Sequence, residues 1–312
     1  ESWQEYSRPK DAVVAGAPSG AQGQATPGDA PPPAPGQALK GVPQQADSAR
    51  VASGARARVV TDVLSAVIDA NGGDVRELVF SKYRENEDAN APFRLFEEKP
   101  GRNYFAQSGL IGQGLPTHKT VFVLEPGEYR LKDGENQLKV SMKAVTPQAE
   151  VVKTYTFTRG SYVVDVDTTI RNLGQAELEA YPYYQYLRHG QAPEGESMMI
   201  HTFTGPAIYT EAGKFQKVAF DDIAKGKQEH AKEAKDGWIG MVQHHFFSTW
   251  LTRDPADASS REFYTRGLGN GEYAAGVIMP ALKLAPGAEK TASMRLYAGP
   301  QEIGRASCRE RV

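Results

Sequence analysis

Six histidines could act as acids, bases or metal ligands: His118, His189, His201, His230, His244 and His245. None forms an HExxH or HxH pair, so no close metal pair is spelled out. His244 and His245 are adjacent, and neighbouring side chains of a strand point to opposite faces. They read as one core and one surface histidine rather than as joint ligands. Asp165 and Asp167 share one strand face and could in principle do acid/base work. A solvated sheet face is the simpler reading of that pair. The chain lacks GxSxG and Walker motifs. Gly267-Leu268-Gly269-Asn270-Gly271 only superficially resembles a phosphate loop. A strand follows it rather than a helix, so it predicts a hairpin turn. Lys225 to Lys235 mixes both signs and reads as an exposed loop or weak helix, with a partner-facing surface as the alternative. No catalytic residue, metal or cofactor is assigned.

The elements that must carry these residues are strands. From Ala55 to Gly299 the dominant period is two. Val151, Lys153, Tyr155 and Phe157 share one face, and Val152, Thr154, Thr156 and Thr158 the other. Arg159-Gly160 turns the chain into a second alternating row, with Tyr162, Val164, Val166, Thr168 and Ile170 on one side. Such alternation means an antiparallel sheet with one wet face. Lys132-Asp133-Gly134-Glu135 predicts another hairpin turn. Val59 to Ile68 is apolar on both faces and predicts one buried strand. It runs into Asn71-Gly72-Gly73-Asp74, where Gly72 and Gly73 suit a turn that needs positive φ. Late strands are expected at Ala274 to Met279 and Thr291 to Tyr297. Asp221-Asp222 can open a short helix, and Trp238 to Trp250 fits either a strand pair or a helix. The fold class is therefore mainly β, one large twisted antiparallel β-sandwich with few short helices.

The ends differ from this body. Residues 1–54 are expected to be a disordered Ala/Pro/Gly-rich tether. Seven of the 20 prolines lie between Asp11 and Arg50, a stretch with no Ile, Phe, Tyr or Trp. A loop packed on the domain is the alternative. Neither an initiator Met nor an apolar run precedes it, so Glu1 reads as an internal residue of a longer chain. Residues 302–312 resemble a translated sequencing adapter, which would place Cys308 outside the native protein. That leaves residues 55–301 as the folded domain. Cys308 is the single cysteine, which excludes an intramolecular disulfide and a multi-thiolate zinc site. A net charge of −2 argues against a nucleic-acid partner.

Nine stretches carry a resemblance. They are Thr61-Asp62-Val63-Leu64 running to Asp74, Pro92 to Glu97, Tyr104 to Leu110, Arg159 to Tyr162 and His201 to Ala207. Lys214-Phe215 with Phe220 to Ile223, Gly237 to Met241, Leu268 to Gly271 and Tyr297 to Pro300 complete them. In this order they resemble the first periplasmic domain of the YidC/Oxa/Alb family of bacterial membrane protein insertases. The resemblance implies a β-supersandwich of the galactose-mutarotase kind, in the periplasm at the inner membrane. It implies a membrane helix before the tether, and an amphipathic helix and five membrane spans after the domain. The domain would be a non-catalytic scaffold, attached through segments absent from this chain. Its implied partners are the accessory subunits of the Sec translocon, the translocon itself and nascent inner-membrane proteins. Tyr209, Lys214, Phe215 and Lys217, within the stretch His189 to Gly237, are the candidate contacts. A mutarotase-like sugar enzyme and a free-standing carbohydrate or peptide binding module remain as alternatives.

Overall fold

The computed structural model describes residues 30–36, 53–85, 88–193, 202–254 and 256–301. The rest of the expected tether, residues 302–312 and His201 lie outside the described residues. In chain order the strands begin with β1 (Arg56–Val60), β2 (Leu64–Asp69), β3 (Asp74–Arg84), β4 (Pro92–Phe96), β5 (Tyr104–Ile111), β6 (Val123–Leu124) and β7 (Tyr129–Arg130). Next come β8 (Gln137–Val145), β9 (Ala149–Thr158), β10 (Val163–Asn172), β11 (Leu178–His189), β12 (Thr204–Thr210) and β13 (Lys214–Lys217). The short helix α1 (Phe220–Ala224) precedes β14 (Glu233–Ala234), β15 (Trp238–Gln243), β16 (Phe246–Thr252) and β17 (Arg261–Gly269). The chain closes with β18 (Glu272–Ile278), β19 (Leu282–Leu284) and β20 (Glu289–Pro300).

These strands form two sheets. The 11-stranded sheet runs β14-β17-β18-β11-β5-β3-β2-β1-β7, with β19 beside β11 and β4 beside β3. The 9-stranded sheet runs β13-β12-β15-β16-β20-β10-β9-β8-β6. All pairings are antiparallel except β1 with β7. The expected mainly β sandwich is what forms, because alternate residues of each sheet turn inward. Val151, Tyr155, Phe157, Val164 and Val166 from one sheet join Phe80, Tyr104, Tyr184 and Tyr186 from the other in one buried cluster. Trp250 packs 5.1 Å from Tyr184 and 6.2 Å from Tyr186, ring to ring, across the layers.

Several local readings change. The apolar run Val59 to Ile68 is not one strand but the hairpin β1–β2, with Val59 opposite Ala66. Thr61 makes the turn: its hydroxyl donates to Leu64 O at 3.1 Å and accepts from Val63 N and Leu64 N. Apolar residues on both faces hid that polar corner. Lys132 to Glu135 does turn, with Gly134 at φ +83 and Glu135 N donating to Lys132 O. The strand before it, however, pairs with β1 in parallel rather than with β8. Trp238 to Trp250 resolves into the strand pair β15–β16. His244 (φ +52) and His245 occupy its turn, with ring centroids 3.7 Å apart, so they do not straddle a strand as expected. Finally, residues 30–36 do not behave as solvated tether: Ala30 and Pro32 are buried.

Candidate functional site

The four contact candidates sit at one end of the 9-stranded sheet, where β13 is the edge strand. Phe215 stands opposite Tyr209, and Tyr209 opposite Trp238, in adjacent strands. Tyr209 stacks on Trp238 at 5.9 Å and Phe215 lies 6.0 Å from it. Phe247 completes the row, 5.1 Å from Trp238. It reaches Trp238 by lying over Gly240, where an added Cβ would sit 2.5 Å from Phe247 Cζ. The result is an aromatic stripe across four strands, with Phe215 47% exposed at its outer end. Lys217 sits two residues from Phe215, with Nζ 5.1 Å from the ring centre of Phe203. Lys214 has φ +53 and donates from Nζ to Glu211 at 2.9 Å. That pair raises the Lys214 ammonium and lowers the Glu211 carboxyl. Structure thus brings Tyr209 and Phe215 into contact with a common third ring and leaves both lysines exposed. Trp238 and Phe247 were missed, because the stripe draws single residues from separate strands and no linear motif records it.

The far face of the 11-stranded sheet carries most of the buried charge. Tyr184 and Tyr186 of β11 face the other sheet, so Gln185 and Leu187 face away from it. A polar ladder crosses this face. Tyr264 Oη donates to Gln185 Oε1 at 2.7 Å, Gln185 Nε2 to Gln107 Oε1 at 2.8 Å, and Gln107 Nε2 to Asp74 Oδ2 at 3.1 Å. Gly276, in register between Gln185 and Tyr264, leaves room for it: an added Cβ would sit 2.5 Å from Tyr264 Oη. Arg76 continues the ladder to Asp74, Asp69 and Glu98. Asp69 is fully buried and accepts from Ser53 Oγ, Gly54 N, Asn71 N and Arg56 Nε within 3.0 Å. Burial pushes its carboxyl up, but the donors from Asn71, Ser53 and Gly54 and the Arg76 charge outweigh that and hold it below the usual value. Asp74 has fewer donors, and burial raises it to about 6 against the pull of Arg76, His118 and Lys153.

Lys153 crosses the sandwich from β9. Its Nζ donates to Gly72 O and Ser108 O, both at 2.6 Å, and burial lowers it to about 8. Gly72 and Gly73 carry φ +78 and +69, and a Cβ on Gly72 would meet His118 O at 2.1 Å. His118 Nδ1 shares a 2.6 Å hydrogen bond with Tyr183 Oη. His189 accepts from Gln191 N, and burial followed by the charges of Arg188 and Arg102 pushes it down to about 3. His230 bridges Ala231 O and Thr265 Oγ1. Asp165 and Asp167 face Arg295 and Arg253 respectively. Among the described residues no three His, Cys, Asp or Glu side chains group as metal ligands. Asp69, Asp74, Arg76 and Glu98 thus form one cluster of ion pairs, while Lys153, His118, His189 and His230 bond to backbone groups and hydroxyls.

Two broad sheets packed face to face around one tyrosine-rich core define a β-supersandwich. A galactose mutarotase related enzyme from Lactobacillus acidophilus shares that architecture, with a TM-score of 0.50 over 78% of this chain and 97% of its own. Its sequence identity is 12%, so the likeness is one of fold. The chain belongs to the YidC periplasmic domain family, whose model matches residues 56–307. That match runs past Gln301 into the stretch read above as adapter-like. A membrane protein insertase YidC of Thiobacillus denitrificans is 49% identical over 305 residues, covering 96% of this chain and 54% of the relative. One from Nitrosospira multiformis is 40% identical over 317 residues, covering 97% and 55%. The chain therefore spans about half the length of the curated relatives it matches.

Proposed function

We propose that this chain is the periplasmic part of an inner-membrane protein insertase and serves it as a non-catalytic scaffold and contact domain. Attachment to the membrane would come through segments outside this chain. Its partners would be the accessory subunits of the Sec translocon and the translocon, and the clients nascent inner-membrane proteins. The observation that carries a contact role is the aromatic stripe Phe215-Tyr209-Trp238-Phe247 at the edge strand β13. Aromatic rings that are part exposed and rigidly stacked make strong interface anchors. An edge strand also offers unpaired backbone groups to an incoming strand. Lys214 and Lys217 would then set the charge of the partner, which should be acidic at the contact. No cofactor is required by this reading.

The test is co-purification of translocon accessory subunits with the full-length insertase carrying Lys214→Glu and Lys217→Glu together. Recovery should fall while the domain remains folded, since both ammonium groups are exposed. Undiminished recovery would remove the two lysines from the contact.

A further inference from the structure

The proline-rich stretch Pro31-Pro32-Pro33-Ala34-Pro35 lies before the family match begins, yet it is packed on the domain. Ala30 is 4% exposed and Pro32 is buried. The Ala30 carbonyl accepts a hydrogen bond from Arg266 Nη2. Arg266 alternates with Tyr264 along β17, so both project from the far face of the 11-stranded sheet. The opposite face, through Tyr184 and Tyr186, is the one that meets the other sheet, yet Arg266 is only 6% exposed. Its guanidinium lies 6.0 Å from the Tyr264 ring. Tyr264 is itself fixed by Gln185 and belongs to a small buried cluster with Tyr183 and Ile278, against which Tyr181 and Ile111 pack.

The two sides match chemically. A run of prolines has no N–H groups and is biased to the extended left-handed helix, so its carbonyls are the only polar handles it presents. A groove that recognises it needs aromatic surface and side-chain donors, with no demand for acceptors. Tyr264 with its neighbours supplies the first, and Arg266 the second. Proline has little freedom left to lose, so ordering such a segment costs less than ordering an ordinary loop. Gly36, at φ +74 and exposed, turns the chain at the end of the segment. Ser53 and Gly54 then tie it to Asp69 on the same sheet.

We infer that the far face of the 11-stranded sheet at β17 is a docking site for an extended proline-rich peptide, filled in cis by residues 30–36. The docked segment straps the tether to the domain. The inference is independent of any translocon contact, which lies on the other sheet.

The test uses the full chain with Cys308→Ser and a nitroxide label on Ala34→Cys. Paramagnetic broadening of backbone amides is compared with the reduced, diamagnetic sample. Broadening should concentrate several-fold in β17 and β18 relative to the β8–β9 hairpin of the opposite sheet. Replacing Pro31, Pro32 and Pro33 with serine, outside the folded domain, should erase that contrast and leave the domain's other amide shifts unchanged. Even broadening over both sheets, or a contrast that survives the serine replacement, would overturn the docking site.

Discussion

At the residue scale the fold depends on a few buried charges, each of which gathers several partners. Asp69 accepts from Ser53, Gly54 and Asn71 and pairs with two arginines, Arg56 and Arg76. Breaking such a network from one side leaves uncompensated charge, so Asp69→Asn should cost about 3 kcal/mol at neutral pH. The sign of its pH dependence follows from the depressed carboxyl. Its stabilisation is complete above the unfolded value of 3.8 and is lost as pH falls through the lower folded value. The penalty of Asn, read from urea unfolding, should therefore shrink in acid. A constant penalty would assign the effect to packing. Lys153 was visible in the sequence as a lysine within an apolar row. Its partners were not, because they are the carbonyls of Gly72 and Ser108, and a carbonyl leaves no trace in residue type.

At the element scale, strands with one wet face were legible and strands with two dry faces were not. The β9–β10 hairpin follows its alternation closely, Val164 facing Phe157 and Ile170 facing Val151. The β1–β2 hairpin was hidden, because Val59 to Ile68 carries apolar residues on both faces and only Thr61 and Asp62 mark its corner. The aromatic stripe was half legible. Tyr209 and Phe215 lie close in sequence, whereas Trp238 and Phe247 join only through the β12–β15–β16 register. Trp238 contacts all three other rings, so it should dominate any binding through this stripe. Trp238→Ala should weaken binding of the accessory subunits about tenfold or more, by titration, with cooperative unfolding retained. Lys139→Ala, on β8 away from the stripe, should change neither.

At the scale of the whole molecule, two large sheets pack into one β-supersandwich, and the proposed contact role uses one edge of it. The family was legible because nine short stretches keep their order along the chain, although none of them is diagnostic alone. The order of the sheets was not, since strands far apart in sequence become neighbours, as β11 does between β5 and β18. The contact role is tested most directly by a photo-crosslinking amino acid placed at Phe215 in the full-length insertase in living cells, with the same probe at Lys139 as control. The account predicts adducts with translocon accessory subunits from position 215 and not from position 139. Equal crosslinking from both positions, or none from position 215, would contradict it.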